Sequence, residues 1–377
     1  MTTTKLLFTP GPLTTSATVK AAMLRDVGSR DRDFLEIVRG IRERLLTLGG
    51  AGTRNGAEYE CILMQGSGTF AIEAVISSVI PCSGKLLVLV NGAYGRRVAH
   101  MARVHEIEIE TLEATENCKI SPGAVADRLA SSRGVTHVAV VHCETTTGIL
   151  NPVEAIGKIV ERAGAVYIVD AMSSFGAIPL HLSASRIDFL ISSANKCIEG
   201  VPGFGFVLAR RIRLLEAEGR ARTLSLDLHA QWAGFASDGQ FRFTPPTHAL
   251  LAFDQALLEL DAEGGVAGRA ERYRANHAAL IGGMRELGFE PYLAPEDQTY
   301  IITAFRHPEH PQFRFEDFYG RLSELGFIIY PGKLTSEPCF RIATIGRLSA
   351  ADVEALLAAI RQVLVEMGAL PIVRAAH

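Results

Sequence analysis

The chain reads as an α/β protein: a large domain with a mainly parallel sheet covered by helices, followed by a smaller α+β domain. Three observations predict this. From about residue 58, short apolar runs alternate with helical stretches: "ECILM" then "FAIEAVISSVI", "KLLVLV" then "YGRRVAHMARV", "THVAVV" then "PVEAIGKIVERAG", followed by "VYIVD", "FLISSA" and "GFGFVLA". Strands with no polar face, interleaved with helices, are buried on both sides, as parallel strands are. After "LELDAEGGVAGRAERY" the order changes, and a long helix to about Leu287 leads to strands near "YIITAF", "FIIY" and "FRIATI". Finally, 377 residues at 48% hydrophobic and 21% charged support one large core and one smaller one. The expected division is an N-terminal arm over 1–17, a large domain over 18–265 and a small domain over 266–377.

The opening "MTTTKLLFTPGPLTTS" has no basic segment followed by a long apolar one, and runs such as "LLVLV" are too short to span a bilayer. A cytoplasmic, membrane-free protein is expected. In "FLEIVRGIRERLLTLGG", Phe34, Ile37, Val38, Ile41 and Leu45 share one helical face, and the closing glycines suit a C-cap. Near the other end, "FEDFYGRLSEL" reads as a helix, and Ser349 with Asp352 opens another whose apolar positions are 353, 356, 357, 360 and 364.

Charge and cysteine usage narrow the function classes. A net charge of −3 without a Lys/Arg run argues against a nucleic-acid partner and leaves small ligands. The six cysteines, at 61, 82, 118, 143, 197 and 339, form no CxxC pair and read as reduced thiols. The histidines are dispersed, and Pro308 denies "HPEH" a helical ligand geometry, so no metal is expected.

The chemistry concentrates where strands end, the place where ligands of open α/β sheets bind. In "ILMQGSGTFAIEA", Gly66, Ser67, Gly68 and Thr69 lie between a strand and a helix, where free backbone N–H groups favour an anion such as phosphate. The plainer reading is a tight glycine turn with a hydroxyl cap. The same run matches G-x-G-x-x-A, but a dinucleotide site wants an acid at the end of the next strand, and Asn91 stands there instead. "AVYIVDAMSSFGAIP" ends a strand on Asp170, a carboxylate costly to bury without a partner. It reads either as a cap or salt-bridge acid, or as an anion facing a cationic ring. "ISSANKCIEG" sets Lys196 just past an apolar run, 26 positions after Asp170, with small residues Ser192, Ser193 and Ala194 before it. Both would sit on one strand-end rim.

Taken together and in order, "FTPGPL", "SRDRDF", "GSGTFAIEA", "VNGAYGRR", "HCETTTGILNP", "VDAMSSFG", "SSANKCIEGVPGFGF" and "YPGK" with "CFRIATIG" resemble the class V aminotransferase family of pyridoxal-phosphate enzymes, over almost the whole chain. The resemblance implies the type I fold of pyridoxal-phosphate transferases, a homodimer with shared active sites, and pyridoxal 5'-phosphate as cofactor. It implies that Lys196 forms the Schiff base and that Asp170 keeps the pyridine nitrogen protonated. It assigns the phosphate to Ser67, Gly68, Thr69 and Asn195, the two ring faces to Tyr94 and Met172, and the ring oxygen to Thr145. Thr244 would reach the phosphate of the neighbouring subunit, although "TPPT" also reads as a turn capping the next helix.

Within the family the pattern is most similar to members that transaminate an aminophosphonate against a keto acid. Arg341 matches the arginine that grips the acid group, and Arg30 and Arg32 are further candidates for a phosphonate, unless they pair with Asp31 or Asp33. An alanine:glyoxylate or serine:pyruvate aminotransferase would share nearly every cofactor residue and differ in the acid pocket. A nicotinamide oxidoreductase and a non-catalytic binding protein stand as outside alternatives.

Overall fold

A computed structural model describes residues 5–52, 58–335 and 337–370. Its centre is a seven-stranded sheet in the order Tyr59–Gly66, Gly203–Arg210, Phe189–Ser193, Val166–Asp170, Val135–Val141, Lys85–Val90, Glu108–Glu113. The last five are mutually parallel, while Gly203–Arg210 runs antiparallel to both its neighbours. The expected mainly parallel sheet is present, and its exception has a simple cause. Only residues 194–202 connect Phe189–Ser193 to Gly203–Arg210, and a parallel return needs a crossover of a dozen residues or more.

The inner strands are buried along their length because helices cover both faces. The helix Arg32–Leu48 buries Phe34, Val38, Ile41 and Leu45, as its spacing predicts, and Gly50 follows at φ 72°. Glu108–Glu113 is an edge strand with mixed exposure. Its alternating charges fit an edge with one neighbour.

Beyond the helix Thr247–Ala262, the long helix Gly265–Glu286 runs between two cores. Its Leu280 and Met284 pack with Phe289, Phe305, Phe340 and Ile360 in the second core. That core lies beside a three-stranded antiparallel sheet, Thr303–Arg306, Cys339–Ile342 and Tyr330–Pro331. The N-terminal Leu6–Leu7 pairs with Phe327–Ile328, which ties this segment to the second region. The helix Ala350–Glu366 opens with the Ser349–Asp352 capping box read from the sequence. Among the described residues, no helix is long and apolar enough to cross a membrane.

Candidate active site

Because Gly203–Arg210 is antiparallel to both neighbours, Tyr59–Gly66 points the same way as the parallel set. Six strands therefore finish on one edge, and five of them deliver a candidate residue there: Ser67, Tyr94, Thr145, Asp170 and Lys196. Lys196 lies in the turn after Phe189–Ser193, closed by Glu199 N–H donating to the Lys196 carbonyl and Gly200 N–H to that of Ala194. Its Nζ donates to the Pro10 carbonyl at 2.8 Å. Gly11 makes this approach possible: a Cβ there would lie 2.6 Å from Nζ, and its φ of +132° disfavours a side chain. Burial lowers the Lys196 pKa, against the raising influence of Tyr94 and Asp170. A neutral amine is what Schiff-base chemistry requires.

Asp170 is the last residue of Val166–Asp170 and is buried. One carboxylate oxygen accepts the Met172 backbone N–H at 2.9 Å. Among the described residues, no side chain donates to it. Burial pushes its pKa up to about 6; that backbone hydrogen bond opposes the rise, the Glu144 carboxylate adds to it, and Lys196 and Arg97 pull against it. An anion held this dry without a paired cation is a place made for a positive group.

Ser67 is the N-cap of the twelve-residue helix Gly68–Val79, yet its side chain makes no capping hydrogen bond. The N–H groups of the first turn and the Ser67 hydroxyl are therefore available together to an anion. Gly68 leaves room here for the end of the Met172 side chain, which a Cβ would displace, and a Cβ would also lie 3.1 Å from Ser193 Cβ. Met172 thus packs over the helix start beside Asp170. Asn195 is held by Ser193, whose hydroxyl donates to its Oδ1 at 2.8 Å.

Tyr94 sits in the first turn of Ala93–Val104. Burial alone would raise its hydroxyl, but the Thr145 hydroxyl and the cations Lys333, Lys196 and Arg341 bring it down to about 8. Arg341, on the Cys339–Ile342 strand, does not alternate out to solvent but is 1% exposed. It donates to the carbonyls of Pro331 at 3.0 Å and Thr145 at 2.7 Å. Among the described residues it has no carboxylate partner, which leaves a buried guanidinium open to an anionic ligand.

Three groups that sequence reasoning did not single out belong to this cluster. Glu144 is fully buried and accepts the N–H groups of Tyr94, Gly95 and Thr146 and the Thr146 hydroxyl, capping the Tyr94 helix from a distant loop. Burial raises its pKa in spite of these donors. Arg97 lies 5.0 Å from the Tyr94 ring centroid, and Lys333 lies 4.8 Å from it. The signal for Glu144 was the acid inside "HCETTTG"; for Lys333 it was the cation closing "YPGK".

Three other candidates lie elsewhere within a single chain. Arg32 is 89% exposed and pairs with Glu36 at 3.1 Å, rather than with Asp31 or Asp33. Arg30 and Thr244 line a surface groove with Ser29 and Phe241, and the Thr244 carbonyl accepts from Gln65 at 3.4 Å. Asn91, where a dinucleotide site would want an acid, is buried and bonded to Asn151 and the Cys118 carbonyl. It is a structural brace.

This donor set suits an anion at Ser67–Thr69, a cation opposite Asp170, a carbonyl at Lys196 and an acid group at Arg341. The family model for class-V aminotransferases matches residues 14–353. The chain is 51% identical over 358 residues to a 2-aminoethylphosphonate–pyruvate transaminase of Vibrio cholerae, covering 94% of this chain and 96% of that one. It is 52% identical over 364 residues to the enzyme of that name from Syntrophobacter fumaroxidans, covering 96% and 97%. In fold it is similar to a ureidoglycine–glyoxylate aminotransferase from Bacillus subtilis (TM-score 0.88, 23% identity, 98% and 95% covered). The alanine–glyoxylate aminotransferase from Nostoc sp. is similarly close (TM-score 0.88, 24% identity, 97% and 96% covered). The chain belongs to the class-V aminotransferase family.

Proposed function

We propose that this protein transfers the amino group of 2-aminoethylphosphonate to pyruvate, yielding phosphonoacetaldehyde and L-alanine, with pyridoxal 5'-phosphate as its resident cofactor. The observation that carries the reading is the convergence of Lys196 and Asp170 on one sheet edge, in a chain at least half identical to transaminases of that name over nearly their whole length. The cofactor, when bound, supplies an aldehyde that condenses with amines and a cationic ring that takes up the electron pair of a broken C–H bond.

The residues present fit such a group. The open helix start at Ser67, Gly68 and Thr69, with Asn195 beside it, holds the phosphate. Asp170, which has no side-chain donor among the described residues, holds the proton on the ring nitrogen. Tyr94 and Met172 would pack on the cofactor ring, and the Thr145 hydroxyl would serve its oxygen. Lys196 would hold the cofactor through its aldehyde, and its amine, which burial favours in the neutral form, would take the proton from the amine-bearing carbon of the donor. Arg341, fixed by two carbonyls, orients the phosphonate in the first half of the reaction and the keto-acid carboxylate in the second.

The same reading has two copies sharing their sites, each supplying Thr244 to the other's phosphate, in a cytoplasmic homodimer. Thr244 is exposed in the single chain, which leaves it free for that role. The test is product analysis with purified, cofactor-loaded protein. Phosphonoacetaldehyde and L-alanine should form from 2-aminoethylphosphonate and pyruvate far faster than any product from L-serine with pyruvate or L-alanine with glyoxylate. A preference for either of those pairs overturns the substrate assignment. Sedimentation of the loaded protein as a monomer overturns the shared site.

A further inference from the structure

Arg341 and Lys333 approach Tyr94 from adjacent strands. Tyr330 is the register partner of Arg341, and Lys333 follows just after the Tyr330–Pro331 strand. The two cations are held differently. Arg341 is buried and pinned by the Pro331 and Thr145 carbonyls. Lys333 is exposed, and its Nζ donates to the Tyr94 hydroxyl at 3.2 Å. Among the described residues, neither has a carboxylate partner. Two unpaired like charges around one phenol repel each other, and an anion bound between them removes that cost.

The two substrates of the proposed reaction make unequal demands on this pocket. A phosphonate, like a phosphate, presents three acceptor oxygens and close to two negative charges near neutral pH, whereas a carboxylate presents two oxygens and one charge. A rigid guanidinium fits two oxygens of either group. The remaining oxygen and charge of the phosphonate need a second cation, and an ammonium on a flexible stem can supply one without a fixed geometry.

We infer that Lys333 is a specificity residue for the dianionic substrate, its ammonium taking the third phosphonate oxygen and returning to the Tyr94 hydroxyl when a carboxylate occupies the pocket. This rests on the function proposed above.

The test compares wild type, Lys333→Met and Lys333→Arg as cofactor-loaded enzymes. Each half-reaction is followed separately with 2-aminoethylphosphonate and with L-alanine. In Lys333→Met the KM ratio of 2-aminoethylphosphonate to L-alanine should rise about tenfold, the factor lost with a charge-assisted hydrogen bond at the low end of its range. Lys333→Arg should recover most of it. Calorimetric binding of ethylphosphonate and propionate should give the same split without turnover. An unchanged ratio, or equal weakening of both ligands, overturns the role of Lys333. If wild type fails to aminate pyruvate from 2-aminoethylphosphonate, the proposed function falls instead, and ethylphosphonate binding still decides Lys333.

Discussion

Two sets of buried charges lie within a few residues of each other, and they are built on opposite principles. Glu199, three residues after Lys196, is 3% exposed and is saturated: it accepts the Tyr273 hydroxyl at 2.6 Å and pairs with Arg272 at 2.7 Å and Arg269 at 3.4 Å. Glu263 closes the network at 2.6 Å from each arginine. Arg269 also donates to the Cys197 carbonyl, and Arg272 to the Gly346 carbonyl, so the network bolts the lysine turn to the long helix and to the second region. Among the described residues, the side chains of Lys196 and Asp170 make one hydrogen bond apiece, each to a backbone group. Saturated charges hold a scaffold, and unsaturated ones mark where chemistry is done.

The sharpest way to break this contrast is Lys196→Ala. Transamination should fall by about four orders of magnitude or more, while the unfolding free energy stays unchanged or rises, because a poorly paired buried amine is removed. Rate assays and urea denaturation on the same sample separate the two effects.

Asp170→Asn comes next, with about a thousand-fold loss of kcat in loaded enzyme, the scale of losing a preorganised charge. Its effect on the cofactor-free fold has the opposite sign. The folded-state pKa of about 6 lies above the ordinary 3.8. The stabilisation by the protonated acid is thus complete below the lower value and is lost as pH rises through the upper one. Cofactor-free Asp170→Asn should therefore exceed wild type in stability at about pH 8 by up to about 3 kcal/mol, the gap closing toward about pH 4.

The saturated set should respond in the reverse way. Glu199→Ala takes a buried acceptor from Arg269, Arg272 and the Tyr273 hydroxyl at once, with Glu263 still paired to both arginines, and should cost about 2 kcal/mol of stability by calorimetry. Glu199→Gln keeps an acceptor for Tyr273 and should cost less. Smallest is Gly68→Ala: Met172 must yield to the new Cβ, so cofactor titration should give a Kd raised about tenfold, with about 1 kcal/mol lost from the fold.

The legible half of this site is the half that strand order alone brings together. Ser67, Asp170 and Lys196 each follow directly from an apolar strand, so once the sheet is read as mainly parallel they must share an edge. Glu144 and Lys333 could not be found that way. Glu144 acts on Tyr94 from 50 positions away, and Lys333 from 239, through loops whose paths no local pattern encodes. Arg341 was reached by resemblance alone, since an arginine on a four-residue strand reads equally well as solvated. The Glu108–Glu113 strand escaped because an edge strand carries alternating charge instead of an apolar run. Thr244 lines a surface groove of the single chain, and the role proposed for it needs a second copy.

The central claim is that Lys196 is the amine that holds the cofactor. Loading the protein with pyridoxal 5'-phosphate, reducing it with borohydride and mapping the digest by mass spectrometry addresses this directly. The account predicts a pyridoxyl adduct on the peptide containing Lys196, and none in Lys196→Ala. An adduct on Lys333 or another lysine, or unmodified Lys196 in fully loaded protein, would contradict it.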